Sequence, residues 1–170
     1  MKVFGFLVIF SMFVSFSLIA QAHDLVQSAL EQFENEYPQY AGQAYLTGGT
    51  GERTWERQMY FILTRPGSYP NIQNRFTNRF GVTLPASPDD MTDEMLNWWE
   101  EQIMAQAGRP DGFAHVGGMA QDISVRNLSN DGKAALSQII EGNGLGIIYE
   151  DPPAYYVDIN DATVFHCYIQ

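Results

Sequence analysis

The stretch His115-Val116-Gly117-Gly118-Met119-Ala120-Gln121-Asp122 is where this chain of 170 residues is best equipped for chemistry. It sets an imidazole and a carboxylate on either side of a run of small residues. Met119 to Val125 predicts a strand, in which successive side chains point to opposite faces. His115 and Asp122 are an odd number of residues apart, so they meet only if the chain bends before the strand begins. Gly117 and Gly118 permit that bend. His166 lies in a second predicted strand, Thr163 to Ile169, where alternation puts it on the face opposite Phe165 and Cys167. If the two strands are neighbours, His115, Asp122 and His166 meet. Two imidazoles and a carboxylate suit zinc and leave a fourth position for water. Such an ion brings the water's pKa towards neutrality and polarises a carbonyl. An aspartate inside an apolar strand is otherwise uncommon unless paired.

The elements that must hold these residues divide into helices first and strands later. Asp24 predicts the cap of a helix with Leu25, Val26, Ala29, Leu30 and Phe33 inward, stopping near Pro38. Leu46 to Gly51 reads as a glycine-rich loop. Thr54 to Leu63 predicts a helix ended by Pro66-Gly67, and Asn71 to Phe80 a second, with Gly81 as its stop. Pro85 to Asp90 is turn-rich. Thr92 caps a helix running to about Ala107, with Met95, Leu96, Trp99, Ile103 and Met104 as its buried stripe. Gly108 to Gly118 reads as a loop, and Ser129 caps a helix from about Asp131 to Glu141. Leu145 to Glu150 and Tyr155 to Ile159 complete the predicted strands, with turns at Asp151-Pro152-Pro153 and Asn160-Asp161. This order implies an α+β fold, with helices packed on one face of a small, mainly antiparallel sheet.

Composition narrows the classes. Nine Lys+Arg stand against 20 Asp+Glu, a formal net charge of −11. A phosphate backbone repels such a chain, so no nucleic-acid partner is expected. Cys167 is the single cysteine, which excludes an intramolecular disulfide and a four-cysteine zinc site. Lys2, the apolar run Val3 to Ala20 and the sequence Ala20-Gln21-Ala22 describe a secretory signal peptide, with an uncleaved anchor as the alternative. Residues 1–22 are therefore read as the signal and 23–170 as a single domain, a monomer exported to the periplasm or secreted, with no stable membrane insertion after cleavage.

Three pieces of the chain resemble a known family, the zinc D-alanyl-D-alanine carboxypeptidase and L,D-endopeptidase group (M15-like), whose fold is shared with the hedgehog signalling domain. The family's motif S-x-H-x-x-G-x-A-x-D is matched at His115, Gly118, Ala120 and Asp122. Its upstream R-[ST]-x-x-x-Q is matched at Arg53, Thr54 and Gln58, after a glycine-rich stretch. Its last ligand, a histidine near the C-terminus, corresponds to His166. The resemblance implies a metallopeptidase that cleaves peptidoglycan stem peptides, with zinc on His115, Asp122 and His166 and with Arg53 and Gln58 binding substrate. It also implies a general base. Thr163 stands where the family often has Glu or Asp, so the base is assigned to Glu150 at a strand end, with Asp161 as the alternative. Phe113 stands where the family has serine, and Tyr155-Tyr156-Val157-Asp158 resembles a variant of the last motif without its histidine. A non-catalytic relative that binds cell-wall peptide or a partner protein is the rival from another class.

Overall fold

Five helices and five strands account for most of the residues that the computed structural model describes, namely 21–49, 52–65, 69–152 and 154–170. The expected signal peptide falls on residues 1–20 save its last two, and so lies outside the described residues, as does the Pro66-Gly67 stop. Helix α1 (Gln21–Glu36) begins before Asp24. Asp24 therefore lies in its first turn, where a carboxylate favours the helix dipole, rather than capping it. Strand β1 (Tyr45–Thr47) occupies the start of what the sequence presents as a glycine loop. Gly48 and Gly49, with φ of +79° and +72°, end it.

Helix α2 (Trp55–Thr64) is capped by Thr54, whose hydroxyl accepts from the Arg57 amide. Helix α3 (Pro70–Phe80) ends at Gly81 in the left-handed region, φ +66°. Helix α4 (Asp93–Met104) is capped by Thr92. It stops short of Ala107, and Met104 is exposed rather than part of the buried stripe. Strand β2 (Ala120–Ser124), helix α5 (Asn130–Gly142, capped by Ser129) and strand β3 (Leu145–Asp151) follow as expected. Strand β4 is only Ala154–Tyr155. The expected run to Ile159 is cut off by Tyr156, which adopts φ +61°, a conformation no strand accepts. Strand β5 (Val164–Ile169) closes the chain.

The sheet order is β1-β2-β5-β3-β4, and every pairing is antiparallel. The last strand thus inserts at the centre. Register settles which side chains share a face. Ile123 pairs with Phe165, which pairs with Tyr149, and these face a core shared with Val26, Ala29 and Phe33 of α1 and Leu136 and Ile140 of α5. The expected arrangement, helices on one face of a small antiparallel sheet, is what α1 and α5 supply.

Helices α2, α3 and α4 form a second cluster around Met59, Ile62, Phe76, Trp99 and Ile103, joined by Phe113 and Val116 from the loop before β2. Phe76 stacks on Trp99 at 5.3 Å between ring centroids, an offset aromatic pair at the middle of this cluster. The open face of the sheet looks towards this cluster across a cavity.

Candidate metal centre

The antiparallel register builds the centre. Asp122 of β2 lies opposite His166 of β5, and His166 lies opposite Ile148 of β3. Directly paired residues share a face, so Asp122 and His166 stand together on the side away from the α1/α5 core. One step along, Val164 pairs with Glu150, which puts the Glu150 carboxylate on the same face, diagonal to His166.

His115 arrives from the loop, and the parity problem is solved as the glycines allow. Gly117 and Gly118 adopt φ of +97° and +70°. The Gly118 amide donates to the His115 carbonyl at 3.3 Å, and the Met119 amide donates to the Ala114 carbonyl at 3.1 Å. This turn folds His115 back over the start of β2. The Arg53 amide also donates to the His115 carbonyl at 2.8 Å, tying the loop to the start of α2. Phe113, where the resembling family has serine, is buried and lies 6.2 Å from Tyr69 between ring centroids. Apolar packing rather than a serine hydroxyl therefore steadies this loop.

Three donor atoms converge. His166 Nδ1 is 2.8 Å from Asp122 Oδ1, His115 Nε2 is 3.2 Å from the same oxygen, and the two ring nitrogens are 3.1 Å apart. All three residues are largely buried. Hydrogen bonding alone fits this poorly. Two N–H donors on one oxygen would face each other at 3.1 Å, and no proton arrangement makes all three contacts favourable. A cation does. Ligand atoms at 2.0–2.1 Å around a tetrahedral ion lie roughly 3.3 Å apart. The donor set, two imidazole nitrogens and one carboxylate oxygen, can hold a metal ion.

The two carboxylates of the site differ in acidity. Burial pushes the Asp122 carboxyl up, but hydrogen bonds from His115 and His166 and the charge of both rings outweigh it and hold the group well below the usual carboxylate range. Glu150 behaves oppositely. Burial pushes its carboxyl up to about 7, opposed by His166, reinforced by the Asp122 charge and opposed further by Arg53 and Arg65. Two carboxylates on one face are thus driven apart in acidity, the arrangement by which a site separates a permanent anion from a group that exchanges protons near neutrality.

A cavity of about 550 Å³ joins these groups: His115, Asp122, His166 and Glu150 line it together with Arg53 and Gln58. Arg53 Nη1 donates to Gln58 Oε1 at 2.8 Å, and Gln58 is buried, so the guanidinium is aimed by its neighbour. Burial lowers the Arg53 pKa, with Asp122 acting in the other direction. Asp161, the alternative base, is exposed in the turn before β5 and does not line the cavity. Thr163 donates to Asp151 Oδ1 at 2.9 Å, outside the site. His23 is held by Gln121, whose neighbour Asp122 points to the other face, and takes no part in the centre.

Sequence reasoning missed part of the cavity wall. Arg65, Tyr69, Arg75 and Tyr156 line it too. The only available signal was that Arg65 and Arg75 belong to a small set of cations in a strongly acidic chain, and no motif flags them. No helix among the described residues is long and apolar enough to cross a membrane. No family model, no curated protein and no solved structure matches the chain.

Proposed function

We propose that the protein is an exported zinc-dependent peptidase that hydrolyses an amide next to a D-residue in peptidoglycan stem peptides, as a carboxypeptidase or an endopeptidase. It is the convergence of His115, Asp122 and His166 on one point, with Glu150 and Arg53 in the same cavity, that carries this function. The motif resemblance to the M15-like zinc carboxypeptidases supports the substrate class and the choice of zinc. Two nitrogens and one oxygen at tetrahedral spacing suit that ion and leave a ligand position open.

When bound, zinc would supply a water nucleophile usable at neutral pH and polarise the scissile carbonyl. The chain's own residues do the rest. Arg53, fixed by Gln58, offers a planar fork to a substrate carboxylate or carbonyl. Glu150, with a carboxyl that titrates near neutrality, takes the proton of the attacking water and passes it to the leaving amine. Asp122, held ionised, would serve as the anionic ligand beside the two imidazoles.

The departures at Phe113 and Thr163 favour a second reading on the same scaffold, a non-catalytic protein that binds cell-wall peptide or a partner. One experiment separates the two. Purified protein is assayed for zinc and incubated with a synthetic stem peptide ending in D-alanyl-D-alanine. The enzyme reading expects about one zinc per chain and amide cleavage. Peptide binding without metal and without cleavage supports the binder.

A further inference from the structure

Three of the nine basic residues, Arg53, Arg65 and Arg75, line the cavity, and a fourth, Arg57, meets Arg53 and Arg65 at the Phe61 ring. The guanidinium carbons of Arg53, Arg57 and Arg65 lie 4.5, 4.8 and 4.5 Å from the centroid of one ring, Phe61, so no two of them can be further apart than about twice that distance. Arg75 approaches from α3 and contacts the Gln102 side chain.

Among the described residues none of these four forms an ion pair, although the chain has 20 acids to offer; Arg126 is likewise unpaired, Arg79 pairs with Glu94, and Arg109 pairs with Asp111, which lines the same cavity. The carboxylates of the same wall are already placed, Asp111 on Arg109 and Asp122 and Glu150 at the candidate metal centre, so the unpaired guanidinium groups are left to receive negative charge from a ligand.

Arg53 accounts for one anionic group under the proposed function. Arg65 and Arg75 line the same cavity and remain for another. Resting on the peptidase reading, we infer that the cavity selects acidic peptides: substrates carrying a second carboxylate, besides the one held at Arg53, that is bound where Arg65 and Arg75 line the wall. Their forked donors match a carboxylate, and the Phe61 ring restricts the Arg65 side chain. A carboxylate fits better than a polyanion, because the chain's net charge of −11 repels extended phosphate chains.

The test compares N-acetyl-D-glutamyl-D-alanyl-D-alanine with its D-glutaminyl counterpart, which differ in the second carboxylate alone. Both are titrated calorimetrically into the full purified chain in chelator, where no cleavage competes, and into R65Q and R65Q/R75Q proteins of matched circular dichroism. Both arginines are exposed, so the fold does not depend on them. The glutamyl peptide is expected to bind about tenfold more tightly to the wild type. That preference should shrink in R65Q and vanish in R65Q/R75Q. Equal affinities for the two peptides, or a preference untouched in R65Q/R75Q, would overturn the inference. Failure of the peptidase reading shows separately, as absence of zinc and of cleavage of either peptide in the untreated protein.

Discussion

Three atoms, His115 Nε2, Asp122 Oδ1 and His166 Nδ1, form a group that could hold a metal ion. H115A, D122N and H166A should each weaken zinc binding by more than the 10–100-fold that loss of a supporting partner costs. Competition against a chromophoric chelator measures it. E150Q should keep the ion yet lose roughly 10²–10⁴ in kcat, the usual share of a general base. The pH dependence follows from its raised pKa. As a base Glu150 works ionised, so kcat/KM should rise with pH on the acid side, and E150Q should remove that limb; bound zinc, a nearby dication, would place its midpoint below the value of about 7 that burial gives the metal-free site. In zinc-free protein the same shift acts on stability with a definite sign. A carboxyl whose folded pKa lies above its unfolded value binds more protons in the fold. Its contribution is therefore present at low pH and is lost as pH rises from its ordinary range through about 7. E150Q should accordingly be more stable than wild type at pH 8, by about 1–2 kcal/mol after allowing for partial exposure, measured by urea unfolding.

At the scale of elements, the glycines and the strand register do the positioning. The loop bend at Gly117-Gly118 was legible, since an odd spacing between two would-be ligands needs a turn that only such residues allow. So were the caps at Thr92 and Ser129, whereas Thr54, read as the first helical residue, is itself a cap. Strand pairing was not legible. Nothing in the sequence puts the last strand between β2 and β3, because that depends on which edges remain open once α1 and α5 have covered one face. The Glu150 assignment from a strand end holds its place in the cavity only because of that insertion. The short strand β1 was hidden by the glycines that follow it, and β4 was overestimated because Tyr156 turns out of the strand conformation. One pairing can be tested directly. Gly146 faces Tyr168, and a Cβ there would lie 2.3 Å from the Tyr168 ring, which itself leans on His166 at 6.4 Å between centroids. G146A should cost about 1–3 kcal/mol by overpacking and should also weaken zinc binding as the ring shifts. Chemical denaturation and metal competition read the two effects.

Across the whole molecule, the class α+β was readable from helices preceding strands, but the division into two cores was not. Apolar periodicity marks Phe76, Trp99 and Ile103 as buried without saying that they pack on Met59 and Ile62 instead of on the sheet. That division is what leaves one sheet face open as a cavity wall. The proposed zinc ligands come from the loop before β2, from β2 and from β5, so an ion would join segments distant in the chain. Zinc at a hundred times its dissociation constant stabilises by about 2.7 kcal/mol. For a chain of this size that is a rise in Tm of roughly 5–10 °C. Differential scanning fluorimetry with and without chelator should show this rise in wild type, and H115A should not respond.

The most direct measurement is mass spectrometry of muropeptides after digestion with zinc-loaded wild type and with H115A. Wild type should release products whose masses correspond to hydrolysis of an amide beside a D-residue, and H115A should leave the substrates intact. Unchanged muropeptides after treatment with wild-type protein that demonstrably carries zinc, or the same products from H115A, would contradict a zinc peptidase built on His115, Asp122 and His166.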